Sequence, residues 1–206
     1  HILENNIITG LTAQGIGAGG DQCTLFVHHN LIYDVAIPFA GEVIDTSEGG
    51  NIYVDPMLVD SVYFELEMFS PAIDAGDPEI LDVDGTRSDM GYLGGPFGRS
   101  YEYQDLPPEI PTNLSAVVVN DTIVINWDYA TEADFGYYNI YRETYSGFTP
   151  SQSNLIASPD TSVYYDTDWS PENNYYYLIT AVDNQDNESE PSEELAVLTS
   201  GLPDDP

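Results

Sequence analysis

The residues most able to do chemistry lie in one aspartate-rich segment, residues 70–96, with the sequence SPAIDAGDPEILDVDGTRSDMGYLGGP. Four of its aspartates are closely spaced around a glycine turn: Asp77, Asp82, Asp84 and Asp89. Carboxylate oxygens at this spacing suit a tight Ca²⁺-binding loop, although the glutamate that ends an EF-hand loop is missing. The alternative, which turn chemistry favours, is that the aspartates accept hydrogen bonds from backbone N–H groups and hold turns together. Arg87 is then expected to pair with Asp84 or Asp89.

Two adjacent histidines, His28 and His29, are the other candidates for catalysis or metal binding. The run LFVHHNLIYD alternates in hydrophobicity, which predicts a strand whose successive side chains point to opposite faces. We therefore expect the two histidines not to share a site, and no histidine spacing typical of zinc sites occurs. Nucleophile and phosphate-binding motifs are also missing from the sequence. The sequence predicts no catalytic residues.

The charge of the chain excludes several classes of partner. Its 206 residues include 36 Asp and Glu against only 3 Lys and Arg, which gives a net charge of −33. Nucleic acids and anionic membranes bind through Lys and Arg, so neither is expected as a partner, and no apolar run approaches the roughly 20 residues that span a bilayer. A hydrated acidic surface favours an extracellular or cell-surface location. The single cysteine, Cys23, excludes an internal disulfide and is expected to be a small buried residue.

The first hundred residues contain a repeat whose period lies in the twenties. Its three copies are ENNIITG, HHNLIYD and GGNIYVDP, in which Asn6, Asn30 and Asn51 hold equivalent positions. Each copy has the pattern of a short strand between turn residues, and the sequence between the copies has no helical periodicity. Such a period predicts stacked coils, in which the asparagines form a hydrogen-bonded ladder and the neighbouring apolar residues stack inward.

These repeats, followed by SPAIDAGDP and DGTRSDMG, resemble the closing coils of right-handed parallel β-helix proteins of bacterial surfaces, a superfamily that shares the pectate lyase fold. The resemblance covers about residues 1–97 and implies coils over residues 1–98, with segment 70–96 as a C-terminal cap and SPAID as the last inward-facing strand. Lyases of this fold generally use a Lys or Arg base and Ca²⁺. Because this chain has no Lys and its Arg87 lies in the terminal segment, the resemblance does not extend to lyase activity.

A proline-rich linker, residues 99–109, separates the coils from a second domain over residues 110–200 and a short tail, 201–206. Seven short strands at sandwich spacing predict an immunoglobulin-like fold. INWDY, YYNIYRE and YYYLITAVDNQDNESEPS resemble a fibronectin type III domain. The resemblance implies that Trp127 is the core tryptophan and Tyr175 the tyrosine corner. Asp186 stands where many relatives have glycine, so either a strained turn or a left-handed Asp is expected there. The predicted fold is thus all-β, a short parallel β-helix followed by a β-sandwich.

Tyrosines of the second domain suggest a binding surface. Strand alternation places Tyr141, Tyr164 and Tyr176 on one exposed strip that could stack on a glycan ring or a partner protein. Ordinary cross-strand pairing of aromatic residues explains the pattern equally well.

Three functions remain open from the sequence. The favoured one is a non-catalytic structural or adhesive module of a secreted fibre or surface stalk, which assembles with itself head-to-tail through the first coil. The second is the non-catalytic C-terminal part of a secreted polysaccharide-degrading enzyme, whose upstream coils cover the first coil. The third is a Ca²⁺-dependent glycan-binding module.

Overall fold

The computed structural model describes residues 1–18, 24–41, 43–45 and 50–199, and the prediction for Cys23 lies outside these ranges. Every regular element in the described part of the chain is a β-strand. No helix among these residues has the length and apolar character needed to cross a membrane. The described residues form two compact units. The coil unit comprises residues 1–106 with 131–133, and the sandwich unit comprises residues 107–130 with 134–199.

The coil unit is built from parallel strand pairs. Its strands are β1 (Ile2–Glu4), β2 (Ile7–Ala18), β3 (Leu25–His28), β4 (Leu31–Gly41) and β5 (Val43–Asp45). One sheet has the order β1-β3-β5, and the other pairs β2 with β4. Ile7 lies beside Leu31, and Leu31 is bridged in turn to Ile52. The chain therefore runs through three stacked coils, the arrangement that the asparagine repeat predicts.

Each coil turns a corner at a residue in the left-handed conformation. Asn5, His29 and Gly50 hold this position, with φ angles of 58°, 52° and 70°. Glycine has no Cβ to clash there, and asparagine and histidine are enriched among the other residues that adopt it. The corner therefore repeats in backbone conformation while its side chain changes from coil to coil.

The residue after each corner belongs to the predicted asparagine ladder. Asn6 Nδ2 donates to Asn30 Oδ1 at 2.9 Å, and Asn30 Nδ2 donates to Asn51 Oδ1 at 3.2 Å. The backbone N–H groups of Asn6 and Asn30 donate to the same two oxygens at 3.0 Å. Asn30 is fully buried, so the ladder satisfies polar groups that have no access to water.

Residues 70–96 pack along the side of the coils, whereas the sequence predicts them as a cap at the C-terminal end of the stack. Their backbone reaches the first coil, where Asp77 N donates to Asn5 Oδ1 at 2.7 Å and Gly91 N donates to Asn5 O at 2.9 Å. The stretch SPAID forms turns and not a strand. The physical reason is that Leu31 and its neighbours on the same face of β2 and β4 are apolar and must be buried.

This apolar face is covered from the side of the stack. Leu31, Leu66, Ala72 and Met90 form one buried cluster there. A second cluster, built on Ile16, Val27 and Ile32, fills the space that the coil strands enclose. We call residues 55–104 the flank segment because they pack along the coils.

The sandwich unit contains seven strands in two antiparallel sheets. They are β6 (Ser115–Val119), β7 (Thr122–Asn126), β8 (Phe135–Glu143), β9 (Leu155–Ala157), β10 (Val163–Asp166), β11 (Tyr175–Asp183) and β12 (Leu195–Val197). The sheet orders are β10-β7-β6 and β12-β11-β8-β9. Such a pair of sheets is a β-sandwich.

The core of the sandwich contains the residues that the fibronectin resemblance singles out. Trp127 is 5% exposed, and its ring lies edge-on to Tyr138 with the ring centroids 5.1 Å apart. Tyr175 OH accepts a hydrogen bond of 2.9 Å from Ser170 N, the contact of a tyrosine corner. Asp186 adopts the expected left-handed conformation, with φ of 69°.

Candidate functional site

The aspartates of segment 70–96 bind backbone N–H groups. Asp82 accepts from Asp89 N at 3.0 Å through Oδ2 and from Gly95 N through Oδ1. Asp89 accepts from Asp74 N at 2.9 Å, and Tyr103 OH donates to its second oxygen at 2.8 Å. Burial raises the pKa of Asp89, an effect that these hydrogen bonds oppose. Both oxygens of each carboxylate are thus used in holding the segment together.

The other two predicted calcium ligands hold separate turns. Asp84 is exposed and accepts from both Thr86 N and Thr86 Oγ1. Asp77 Oδ1 accepts from Glu79 N at 2.8 Å. Among the described residues these aspartates do not converge on a common point, and only Asp77 belongs to a group with metal-binding geometry. The structure therefore does not assemble Asp77, Asp82, Asp84 and Asp89 into one calcium loop.

Among the residues that the structure describes, Arg87 makes no ion pair with an aspartate, contrary to expectation. Its Nε donates to Gly76 O at 2.6 Å and its Nη2 to Ala75 O at 3.1 Å. Arg87 thereby fixes the loop that immediately precedes Asp77.

The group that does converge consists of His28, His29 and Asp77. The two Nδ1 atoms lie 3.0 Å apart, and Asp77 Oδ2 lies 3.9 Å from each of them. The expectation that the histidines face opposite sides is wrong, because β3 ends at His28 and His29 occupies the left-handed corner. The side chains of a strand alternate between its two faces only while the backbone is extended. His29 is not extended, and its ring therefore lies beside that of His28.

The surroundings of the histidine pair are mixed in charge. Glu4 lies beside His28 in the parallel register, and its Oε2 is 3.3 Å from His28 Nε2. Burial is the main reason that the pKa of His29 is lowered; Asp77 and Glu4 oppose the effect, and His28 and Arg87 reinforce it.

A second candidate site is the outer edge of the first coil. β1 and β2 each lie at the end of their sheet, so one side of each strand has no partner strand among the described residues. Leu31 N donates to Asn6 O, whereas Ile32 N donates to the third coil at Ile52 O. By the same alternation, the backbone N–H groups of Ile7 and Thr9 face away from the second coil.

The asparagine ladder ends at this edge. Asn51 Oδ1 and Asn30 Oδ1 each accept from the preceding coil, but Asn6 Oδ1 accepts no hydrogen bond from the part of the chain that is described. An open cleft lined by Ile7, Thr9, Phe64 and other residues lies beside it. The edge therefore combines unpaired backbone groups with an unfilled ladder acceptor and apolar surface.

The three tyrosines do not form an exposed strip. Tyr141 is only 5% exposed, and its hydroxyl donates to Glu188 at 2.6 Å. Tyr176 packs with Tyr141 on the four-stranded sheet, whereas Tyr164 lies on β10 and packs against the core between the sheets. Alternation alone missed this because the turn around Phe148 covers the outer face at Tyr141.

The comparisons with known proteins cover parts of the chain. No family model matches it. It is 29% identical over 150 residues to an amylopullulanase from Thermoanaerobacter thermohydrosulfuricus, a match that covers 60% of this chain and 10% of the amylopullulanase. The chain thus spans about a tenth of the length of this curated relative.

Two solved structures show partial likeness. A Fn3-like protein from Clostridium thermocellum is 33% identical with a TM-score of 0.38, and the match covers 43% of this chain and 90% of that protein. A pectate lyase from Erwinia chrysanthemi, solved with tetragalacturonic acid, is 22% identical with a TM-score of 0.35, and the match covers 42% of this chain and 28% of the lyase. Because both TM-scores are low, the fold described above rests on the strand pairing itself.

Proposed function

We propose that the chain is a non-catalytic extracellular structural module of a right-handed parallel β-helix protein. Its first coil docks onto further β-coils, supplied by a longer polypeptide or by a second copy of the chain. The sandwich unit, a fibronectin type III-like domain, serves as a spacer.

The open edge of the first coil is the observation that carries this proposal. An unpaired edge of a parallel sheet is a template for another strand, and natural proteins normally block such edges with charge, proline or a covering segment. Here the edge instead presents the Ile7 and Thr9 N–H groups, together with Asn6 Oδ1, which accepts no hydrogen bond from the described residues. One more coil with an asparagine at the ladder position would satisfy all three.

The charge of −33 supports an extracellular location and sets the conditions for docking. Two copies of so acidic a chain repel each other at low ionic strength. The Debye length falls to about 3 Å at 1 M salt, at which long-range repulsion is largely screened. Assembly through the edge is therefore expected to need salt, a multivalent cation or a covalent connection between coils.

Sedimentation velocity over a range of protein concentrations tests the proposal, with and without added salt. We expect a monomer at low salt and a concentration-dependent dimer or larger species at high salt, because the edge of the first coil pairs with a coil of a second copy. A chain that stays monomeric at every salt and protein concentration would contradict docking with a second copy and leave only coils of the same polypeptide as the partner.

The likeness to part of an amylopullulanase favours a second candidate. In this case the chain is the non-catalytic accessory part of a larger secreted polysaccharide-degrading enzyme. The test is a polysaccharide depolymerisation assay on the native polypeptide and on this chain alone. Activity in the longer polypeptide and none in this chain would support the accessory role, whereas activity in this chain alone would reject both candidates.

A further inference from the structure

The corner of the second coil brings together side chains that the repeat alone would keep apart. His28 ends β3 beside Glu4 of the first coil, and His29 follows in the left-handed conformation. The flank segment adds Asp77, whose backbone N–H is bound by Asn5 Oδ1 of the neighbouring corner. Two coils and the flank segment therefore meet at one point.

The three converging atoms have the separations of metal ligands. His28 Nδ1, His29 Nδ1 and Asp77 Oδ2 form a triangle with sides of 3.0, 3.9 and 3.9 Å. Zn–N and Zn–O bonds are about 2.0–2.2 Å long, so the ligand atoms of a tetrahedral ion lie about 3.4 Å apart. Changes of about 0.5 Å in these three separations would therefore let an ion enter.

The remaining atoms of these side chains are already engaged or packed. Asp77 Oδ1 is bound to Glu79 N, which leaves Oδ2 for the histidines. The ring of His29 packs on Gly50, where a Cβ would lie 2.6 Å from His29 Cδ2. Because Gly50 has no side chain, the Cδ2 and Nε2 edge of the His29 ring packs directly against it. The opposite edge, which carries Nδ1, faces His28 and Asp77.

Glu4 supplies the supporting contact that metal-bound histidines generally have. Its Oε2 lies 3.3 Å from His28 Nε2, so a proton on Nε2 is stabilised there and the lone pair is left on Nδ1. A carboxylate on the far nitrogen fixes the ring and strengthens the ligand nitrogen.

We propose that His28, His29 and Asp77 bind one divalent transition-metal ion of the zinc class, which ties the corner of the coils to the flank segment. Two imidazole nitrogens favour Zn²⁺ over Ca²⁺ or Mg²⁺, which prefer oxygen ligands. With three protein ligands, a water molecule completes a tetrahedron. The ion stabilises the coil unit because it binds only where the corner and the flank segment are folded together.

Cobalt absorption spectroscopy on the full chain tests the site. The protein is first freed of metal by a chelator and then titrated with Co²⁺ in excess Mg²⁺, which occupies the exposed carboxylates. We expect visible absorption bands of tetrahedral Co²⁺ that saturate at one ion per chain, are bleached by Zn²⁺ and accompany a higher melting temperature.

Matched variants connect the bands to these residues. His29→Asn keeps a residue suited to the left-handed corner, as at Asn5, and Asp77→Asn keeps an oxygen for Glu79 N. Both are expected to abolish the bands while far-UV circular dichroism stays unchanged, and Glu4→Gln is expected to weaken binding about 10- to 100-fold. His1→Ala, which removes a histidine outside the group, is expected to leave the bands intact.

Three results would overturn the proposal: no tetrahedral bands with the parent chain, bands that persist in folded His29→Asn and Asp77→Asn, or bands lost in His1→Ala. If one variant does not fold, the other gives the answer alone, because each removes a different ligand.

Discussion

At the scale of single residues, the sandwich unit contains a buried ion pair. Arg142 Nη1 donates to both oxygens of Asp166, at 2.9 and 2.7 Å, and Tyr177 OH donates to Asp166 Oδ2 at 2.7 Å. The Arg142 guanidinium also lies over the Tyr175 ring. Because Asp166 is on β10 and Arg142 on β8, the pair connects the two sheets. It does so in a domain without a disulfide.

Asp166→Asn is expected to destabilise the sandwich unit by about 3–5 kcal/mol, the usual cost of removing one partner of a buried ion pair. Tryptophan fluorescence during chemical denaturation measures this unit selectively, because both tryptophans, Trp127 and Trp169, lie in it. Asp168→Asn is the control, because that side chain is fully exposed and its loss should cost little. Equal effects of the two variants would show that Asp166 is not an inter-sheet contact.

The contact between His28 and His29 was not predictable from strand alternation. Strand alternation predicts the faces of residues only while the backbone stays extended, and His29 leaves that conformation. The signal was present in the repeat, because His29 is equivalent to Asn5 and Gly50, two residue types that favour the left-handed region. The contribution of Asp77 had no such signal, since it depends on a contact between distant segments.

At the scale of elements, the asparagine ladder is the feature that the sequence predicts best. Its period identifies both the strands and the residues that connect them. The path of residues 70–96 was not predictable in the same way. A period describes how coils stack, but it does not tell which apolar face of β4 needs a lateral cover.

Substitution of Asn30, at the centre of the ladder, should lower the free energy of unfolding more than substitution of Asn6, at its end. Asn30 Nδ2 donates to Leu3 O and His28 O as well as to Asn51, so Asn30→Ala leaves several buried groups unsatisfied. We expect a loss of about 3 kcal/mol or more for Asn30→Ala, and about 1 kcal/mol for Asn6→Ala at the open edge.

Amide hydrogen exchange in β3 and β4 measures these losses, because tryptophan fluorescence does not report on the coil unit. Faster exchange in Asn30→Ala than in Asn6→Ala is the expected order. The reverse order would mean that the ladder is not continuous through Asn30.

At the scale of the whole molecule, self-repulsion of the acidic surface opposes folding. With 36 acids against 3 basic residues, screening of charge should stabilise both units. We expect the melting temperature to rise with NaCl and to rise equally with KCl.

Calcium provides the specific comparison. Because Asp77, Asp82, Asp84 and Asp89 do not converge on one point among the described residues, Ca²⁺ should stabilise the chain no more than Mg²⁺ at equal ionic strength. A calcium-specific rise in melting temperature that EDTA reverses would instead support the calcium loop that the sequence suggests.

Two substitutions at Thr9 test most directly whether the edge of the first coil is a docking surface. Thr9→Pro removes an N–H group that faces away from the second coil, so no hydrogen bond to that coil is lost. Thr9→Val changes the side chain and keeps the N–H group. In sedimentation velocity at high salt, we expect the parent chain and Thr9→Val to associate equally and Thr9→Pro to associate at least about tenfold more weakly. Equal association of all three chains would contradict docking through this edge.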